Sequence, residues 1–489
     1  MRKTGVTGLM LLLFTFFLSL SVSAEDTAVC RNGTGTVWQD GKKLSQLLDG
    51  SGYTRVPVSN GTEFNIVCEH EIGALYLEFC TAPGEWTLIS EAGERRCGEN
   101  GFLHEYIPSL SGHELTLRFQ GDGELCDIFL LSRGERPDWV QDWQPSWDRA
   151  DVLLLPAHSD DDQLFFAGVI PWCLERGARV QVAYLVSHND DMERRNELLD
   201  GLWCAGLRNY PVLGEYDDIG RSTSNHLPFY EARGIGWEVF EARQVELYRR
   251  FQPQVVITHA EDGEYGHGAH KFYESLAVGT IDSAGNPACC PASAEQYGVW
   301  TPRKVYVHNW PEHQIRLDLD SPLPSRGMSA FEVSLEAFRK HTSQFASFSW
   351  WICSSRTAAG LELYNPAEYG LYATTVGYDD ATDTFFDHIT LYDEEERMQR
   401  EAEEARLLAE QAAEEQRQAE EARLLAQQAA EEQRQAQQAA EAQRQTQREQ
   451  RYRAAAVLVL TVVAAGAIVW LIRNHPRKPG NARSRPKEK

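Results

Sequence analysis

Basic residues are scarce in this chain, which has 47 lysines and arginines against 72 aspartates and glutamates in 489 residues. The formal net charge of −25 argues against a nucleic-acid-binding surface, because such surfaces need clustered positive charge. The excess of acidic residues does not identify a binding partner, since exported soluble proteins carry a similar excess for colloidal stability. A hydrophobic content of 42% is typical of a folded protein, and the length allows two or three domains.

No CxxC pair occurs among the ten cysteines, so a zinc-ribbon site is not expected. Cysteines divide equally between the two halves of the chain, five before residue 150 and five after it. Each half therefore keeps at least one free thiol unless a disulfide joins the halves. In an oxidising compartment disulfides are plausible, but the sequence does not give their pairing.

Two apolar segments near the ends predict an exported, membrane-anchored topology. Residues 1–24 have the layout of a secretory signal peptide, with small residues at 22–24 that favour cleavage over an uncleaved anchor. Residues 454–472 are an apolar run long enough to cross a bilayer as one helix. The basic tail at 473–489 belongs on the cytoplasmic side, which predicts a single-pass cell-membrane protein with its bulk extracytoplasmic.

Glycine and proline are absent from the low-complexity segment at 392–453, which is rich in Ala, Gln, Glu, Arg and Leu. Such strong helix formers predict one long helix. The near-repeat at 403–409 and 420–426 has a spacing that is not a multiple of seven, so a tight coiled coil is not expected. The roughly 58 residues from about 393 to 450, at about 1.5 Å each, give a stalk of roughly 90 Å, with weak oligomerisation through the stalk as the alternative.

Residues 25–147 contain short segments with β-like alternation, such as 64–68 and 115–119, separated by turn signals. This spacing predicts an antiparallel β-sandwich domain. Its role is open. Trp86, Trp139 and Trp143 could stack on a sugar ring, but core or interdomain packing is the commoner role of such residues.

From residue 148 to 391, apolar strand-like segments alternate with helical ones. Asp151–Pro156, Gly177–Val186 and Gln254–Thr258 have strand character, and Met192–Leu207 has the pattern of an amphipathic helix. Strands that alternate with helices predict parallel βαβ units, and hence a mostly parallel sheet covered on both faces.

The first of these strands ends in one histidine and three successive carboxylates, His158-Ser159-Asp160-Asp161-Asp162. The carboxyl ends of parallel strands are where open α/β sheets place their sites. Histidine and carboxylate ligands suit a divalent metal ion. A solvated loop in which Ser159 or Asp160 caps the next helix explains this segment equally well.

A second cluster, His259 to His270, follows the strand that ends at Thr258. Together, His158, Asp161 and His270 would form a set of two histidines and one carboxylate. This set leaves positions of a zinc ion open to water and substrate. Asp160 would then be free to accept a proton from the water.

Several segments carry a family resemblance. Ala157–Asp162 resembles the AHPDDE motif of the PIG-L/LmbE-like family of zinc-dependent N-acetylglucosaminyl deacetylases, and Glu264–His270 is similar to its YGHPDH segment. Arg194-Arg-Asn-Glu197 matches the R-x-x-E helix of that family, and 337–344 and 369–377 resemble its C-terminal segments. The resemblance covers about residues 151–389.

The resemblance implies a Rossmann-like, mostly parallel sheet with Zn²⁺ as the cofactor. It also implies a role for each matching residue: the zinc ligands would be His158, Asp161 and His270, the general base Asp160, the oxyanion-side and leaving-group residues His267 and Tyr265, and the substrate contact Arg194. A salt bridge on the helix surface is an equally good role for Arg194. His188, His308 and His341 are expected to be structural.

Three departures from the family pattern remain. Ser159 replaces a proline, Asp162 replaces a glutamate, and Gly268-Ala269 replaces Pro-Asp between the two histidines. The last change removes a carboxylate that could orient a histidine.

The leading hypothesis is a membrane-anchored extracytoplasmic zinc deacetylase that hydrolyses the N-acetyl group of an amino sugar in a glycan. The rival is a catalytically silent, stalked glycan-binding or adhesion protein of the cell surface.

Overall fold

The computed structural model describes residues 26–189, 191 and 193–474. The signal-peptide segment at 1–24 and the basic tail from residue 475 onward lie outside the described residues. The chain divides into two compact units, one that ends at Glu396 and one that begins at Arg397.

Ten strands occupy the N-terminal part of the first unit and pair only in the antiparallel sense. One sheet has the order β2-β1-β4-β9-β6-β7 and the other the order β3-β10-β5-β8. The strands are β1 Gly35–Gln39, β2 Lys42–Lys43, β3 Val56–Val58, β4 Glu63–Cys68, β5 Ala74–Thr81, β6 Trp86–Ser90, β7 Gly93–Cys97, β8 His104–Ile107, β9 Glu114–Phe119 and β10 Gly123–Leu131.

Alternation in the sequence accounts for these sheets. In β4, Phe64, Ile66 and Cys68 are buried while the residues between them are exposed, because side chains of a strand alternate between the two faces of its sheet. A disulfide joins Cys80 on β5 to Cys126 on β10, so the bridge lies within the first half of the chain. Strand β4 therefore has one face in the core, whereas β5 is buried along most of its length on both faces.

A third sheet, of six strands, lies in the part of the chain that alternates strands with helices. Its order is β12-β11-β13-β14-β16-β15; the first four strands are parallel to one another, and the last two pair in the antiparallel sense. The strands are β11 Val152–Leu154, β12 Val180–Val182, β13 Val255–Thr258, β14 Lys304–His308, β15 Gln314–Arg316 and β16 Glu368–Thr374.

Helices connect and follow these strands. They are α1 Asp161–Leu164, α2 Val169–Glu175, α3 Glu193–Ala205, α4 Leu227–Glu231, α5 Trp237–Phe251, α6 Gly268–Gly279, α7 Ile281–Gly285, α8 Pro291–Tyr297, α9 Ala330–Phe338, α10 Thr342–Ile352 and α11 Tyr392–Asn474. The expected mixed α/β composition, with antiparallel sheets and a long apolar C-terminal helix, is confirmed at this level.

The N-terminal sheets and the third sheet share apolar packing. A single cluster of buried residues includes Phe64 and Phe119 from the first region and Leu164 and Phe331 from the second. Phe102 also stacks on Tyr210, with ring centroids 4.4 Å apart. The boundary drawn at 147/148 from the sequence stays a prediction.

Helix α11 contains the apolar run. Among the described residues, α11 is the one helix that is long and apolar enough to cross a membrane. Its most apolar stretch has a mean hydropathy of 2.7. Length and composition alone support this assignment, which says nothing about orientation.

Candidate metal centre

Four neighbouring parallel strands each lead to a histidine at the same edge of the third sheet. His188 follows β12, His158 follows β11, His259 follows β13, and His308 is the last residue of β14. All four side chains are buried. Parallel strands bring residues far apart in sequence together at their carboxyl ends, which is where this chain places its polar cluster.

Asp161 lies at the middle of the cluster. Its Oδ2 accepts a hydrogen bond from the His158 backbone N–H at 2.7 Å and lies 3.4 Å from Nε2 of both His259 and His270. Burial raises the pKa of Asp161, but His270 and His158 outweigh it and hold the pKa well below its usual range. Asp161 is therefore an ionised carboxylate surrounded by imidazoles.

The Glu264 carboxylate contacts three histidines, His259, His270 and His308. Its Oε2 lies 2.7 Å from Nδ1 of both His259 and His270, and its Oε1 lies 2.6 Å from Nδ1 of His308. Although burial raises the pKa of Glu264, these histidines hold it well below the usual range. Glu264 had no predicted role, and His308 was expected to be structural. The position of His308 at the end of a buried strand was the feature that could have indicated it.

The contacts of Glu264 place a proton on Nδ1 of His259 and of His270. The Nδ1 of His270 donates to Glu264, so its Nε2 keeps a lone pair, and this buried atom has no hydrogen-bond partner. His259 differs, because its Nε2 accepts the Ala157 backbone N–H at 2.9 Å. His259 therefore acts as a support, while His270 offers a free ligand atom.

These donors fit a divalent metal ion. Ligand atoms of His158, His267 and His270 lie within 4.8 Å of one another, and so do those of Asp161, His259 and His270. The unpartnered lone pair of His270 beside an ionised carboxylate is the arrangement that a cation would complete. The structure thus brings together the three ligands chosen from the sequence, His158, Asp161 and His270, without specifying zinc.

Asp160 lies beside the predicted metal ligands and has its own contact with Arg194. Its Oδ1 accepts a hydrogen bond from Nη2 of Arg194 at 3.0 Å, while its buried Oδ2 has no partner. Burial raises the pKa of Asp160, and Arg194 opposes that shift only in part. Asp160 occupies the N-cap of α1 without a side-chain capping bond, so the capping alternative is not what the structure shows.

His267 and Tyr265 border the same cluster, with ring centroids 4.7 Å from His158 and 5.6 Å from His270, respectively. Nδ1 of His267 accepts the Ala269 backbone N–H at 3.3 Å at the start of α6, so its Nε2 is the protonated nitrogen of the neutral ring. Burial and the neighbouring His158 lower the pKa of His267 to about 2. Tyr265 is 42% exposed and has a φ of 46°, a strained conformation for a non-glycine residue.

The pocket above the cluster is lined in part by residues that the sequence did not indicate. Asp218 is one of them, with Oδ1 3.8 Å from Nε2 of His158. The lining residues are His158, Asp160, Asp161, Arg194, Asp218, Gly220, Arg221, Tyr265, His267, Gln344 and Phe348. All of the predicted site residues except the buried His270 therefore line one pocket, and His270 contacts Asp161 beneath it.

The R-x-x-E segment has two separate contacts. Arg194 pairs with Asp160, and Glu197 accepts hydrogen bonds from Thr342 Oγ1 at 2.6 Å, from the Ser343 N–H at 2.8 Å and from Ser343 Oγ at 2.6 Å. Glu197 thus caps the N-terminus of α10, the helix that carries Gln344 and Phe348 into the pocket.

Comparison with known families agrees with this geometry. Residues 153–281 match the family model described as PIG-L, GlcNAc-PI de-N-acetylase. This region of the chain is therefore similar to the PIG-L family. The match covers the strands that carry His158 and His259 and the helix that carries His270, but not β14 with His308.

The chain is also similar to curated proteins. Two are 1D-myo-inositol 2-acetamido-2-deoxy-alpha-D-glucopyranoside deacetylases, from Catenulispora acidiphila (27% identity, 33% of this chain and 56% of the relative) and Geodermatophilus obscurus (26%, 35% and 65%). The chain therefore spans less than two thirds of the length of either relative. Among solved structures, N,N'-diacetylchitobiose deacetylase from Pyrococcus horikoshii in complex with its inhibitor MPG is similar at 15% identity and a TM-score of 0.35, over 47% of this chain and 86% of that one.

Two departures from the PIG-L pattern have a physical explanation. The Ser159 backbone N–H donates to Nε2 of His188 at 3.2 Å, and a proline at 159 would have no N–H to donate. A Cβ at Gly268 would lie 1.9 Å from the Ser224 carbonyl oxygen, so only glycine fits there. Asp162 is buried with a pKa raised well above its usual value by burial, and nothing in the structure explains why it replaces a glutamate.

Proposed function

We propose that this chain is a zinc-dependent deacetylase that hydrolyses the N-acetyl group of an amino sugar. One observation carries the proposal: Asp160 keeps one carboxylate oxygen unpartnered beside Asp161 and His270, whose donors suit a metal ion. The PIG-L match and the amino-sugar substrates in the names of the two curated relatives support the substrate class.

The proposed metal ligands are His158, Asp161 and His270. A divalent cation bound by them would polarise the amide carbonyl and lower the pKa of a water, as zinc does in hydrolases. Glu264 would orient His270 through Nδ1 and so keep its Nε2 directed at the ion.

Asp160 is the proposed general base. Arg194 fixes one oxygen of its carboxylate, so the other, Oδ2, is oriented to accept a proton from the attacking water. Its raised pKa strengthens the carboxylate as a base. The same geometry makes Arg194 a positioning residue for Asp160, beside its proposed contact with substrate.

His267 and Tyr265 are proposed to act on the acyl group. With Nδ1 of His267 accepting from Ala269, the Nε2–H is available to donate to the carbonyl oxygen as negative charge develops there. The Tyr265 hydroxyl would donate from the same side, and the depressed pKa of His267 keeps the ring neutral.

The surrounding architecture extends the proposal. We assign the third sheet to the Rossmann-like class and the two N-terminal sheets to a β-sandwich that helps position a glycan. The apolar run within α11 supports anchoring through one C-terminal membrane helix, with an extracytoplasmic catalytic unit.

Metal analysis and acetate release from N-acetylglucosamine-type substrates test the function. We expect the purified full-length chain to contain about one equivalent of zinc, to lose acetate release on chelation and to regain it when zinc is restored. Stoichiometric glycan binding with neither zinc nor acetate release would instead support the silent glycan-binding protein.

A further inference from the structure

A second cleft lies away from the metal centre, in the same compact unit. It has a volume of about 980 Å³, and its walls come from the connector after β10, from α3 and from the segments around Arg326 and Lys340. Trp203 on α3 is nine residues beyond Arg194, which is about 13.5 Å and about two and a half turns along the helix. The cleft therefore opens on the opposite face of α3 from the metal centre.

Three guanidinium groups converge in this cleft. Arg136 lies 5.1 Å and Arg208 3.8 Å from the centroid of the Trp203 ring, and Arg326 lies close enough to Arg208 to lower its pKa. Burial, together with Arg326 and Arg136, lowers the pKa of Arg208 to about 10. Like charges held this close destabilise one another, which an anionic group between them would relieve.

Carbonyl oxygens, rather than carboxylates, hold these arginines. Arg208 donates to the carbonyls of Trp203 and Leu207, Arg326 donates to those of Cys204 and Ala205, and Arg136 donates to that of Val140. Each guanidinium has five N–H groups, so donors remain on all three for a ligand. Helix capping accounts for part of the roles of Arg208 and Arg326, but not for Arg136.

An aromatic surface faces the same space. Trp139 is 45% exposed, and its ring is held edge-on by Tyr76 and Phe129 at centroid distances of 5.8 and 5.2 Å. An indole fixed in this way offers an exposed apolar face for the ring of a sugar. The orientation is set before any ligand binds, which lowers the entropic cost of binding.

Carboxyl groups complete the lining. Glu78, Asp138, Asp200 and Glu336 also line the cleft. Burial raises the pKa of Asp200 to about 7 and, together with Asp200, raises that of Glu78 well above its usual value. A carboxyl group whose pKa is near neutral can hydrogen-bond hydroxyl groups of a ligand. The two charges of Asp138 and Glu336 do not cancel those of the four cations Arg136, Arg208, Arg326 and Lys340.

From this arrangement we infer that the cleft is a second carbohydrate-binding site, which takes a sugar ring bearing a carboxylate. The arginines bind the carboxylate, and Trp139 packs against the ring. The inference deepens the proposed function, because an acidic glycan held here would supply amino-sugar units to the metal centre, but binding at the cleft does not require catalysis.

Calorimetric binding to the full-length chain in detergent micelles tests this site, in an Asp160→Asn background that prevents turnover. The probes are a tetrasaccharide of alternating glucuronate and N-acetylglucosamine and a neutral tetrasaccharide of N-acetylglucosamine. We expect Arg208→Ala/Arg326→Ala and, separately, Trp139→Ala to weaken binding of the uronate probe at least tenfold without weakening the neutral probe. Arg96→Ala/Arg133→Ala, which removes two exposed arginines elsewhere, is the matched control.

Binding of the uronate probe that the cleft variants leave unchanged, or a loss that is the same for the neutral probe, would overturn the inference. Because Trp139 is exposed, its variant keeps the test valid if the double arginine variant fails to fold. Arginine-dependent binding without acetate release from any substrate would refute the proposed function and leave this site standing. If the parent chain releases acetate but the cleft variants bind the uronate probe as well as the parent does, the cleft site is refuted and the proposed function stands.

Discussion

Arg194 and Asp160 form a buried ion pair in which only one oxygen of the carboxylate is used, Oδ1 at 3.0 Å from Nη2. The unused oxygen is buried beside the proposed metal ligands. One contact thus fixes the orientation of the carboxylate and leaves the other oxygen available to accept a proton.

Replacement of the proposed base should stop catalysis without removing the metal. Asp160→Asn keeps the shape of the side chain but cannot accept a proton, so we expect kcat to fall by about 10²- to 10⁴-fold while zinc content is unchanged. Steady-state kinetics and metal analysis measure both. Asp217→Asn, at a nearby exposed carboxylate, should leave both values unchanged, and full activity of Asp160→Asn would refute the assignment.

Loss of the carboxylate that joins the three histidines should weaken metal binding. In Glu264→Gln, the amide cannot accept from all of His259, His270 and His308, so we expect zinc affinity to fall by about 10- to 100-fold. Competition with a chromophoric chelator measures this affinity. Glu261→Gln, on the exposed part of the same loop, is the control; equal affinities of the two variants would contradict the role of Glu264.

The cap on α10 should affect stability and substrate binding together. Glu197→Ala removes the acceptor for Thr342 and Ser343, so we expect a loss of about 1–2 kcal/mol in the free energy of unfolding. Because α10 carries Gln344 and Phe348, KM should rise as well. Denaturant unfolding and kinetics check both, and Glu197→Gln should restore part of each; an unchanged KM would show that the cap is only structural.

Asp127 should make stability depend on pH. It is fully buried, its Oδ1 accepts the Gly50 N–H, and burial raises its pKa to about 7. A carboxyl whose pKa is raised on folding contributes stability below its unfolded pKa, and this contribution is lost as pH rises through about 7.

Asp127→Asn removes this dependence. Relative to the parent chain, we expect the variant to gain about 2 kcal/mol more at pH 8.5 than at pH 5. Urea unfolding at the two pH values measures the difference, with the exposed Asp122→Asn as control. The same difference for both variants would contradict the assignment to Asp127.

The sequence revealed what depends on local pattern. The change from an apolar strand to polar residues at His158 and at His259 was visible, and so was the spacing from His267 to His270. Glu264 was missed because its role depends on histidines from separate strands. Asp218 and Arg221 lie on an irregular segment with no periodicity, so nothing local marked them.

Strand lengths show the same limit. The strand expected over Gly177–Val186 is regular only at Val180–Val182, because Ala183 and Val186 pair through isolated bridges with Val212 and Tyr216. The reason for glycine at 268 lies in Ser224, which is distant in sequence. Such constraints exist only once the chain has folded.

The histidines at the ends of β11, β13 and β14 come from three strands that are far apart in the chain but adjacent in the sheet. The proposed ligands are His158 and Asp161, which follow β11, and His270, which follows β13, so this set forms only when the parallel pairing of these strands has formed. A metal ion that binds this set selects the folded chain over the unfolded one, so its binding energy adds to the stability of the sheet. Chelation should therefore lower the temperature at which this sheet unfolds as well as abolishing activity.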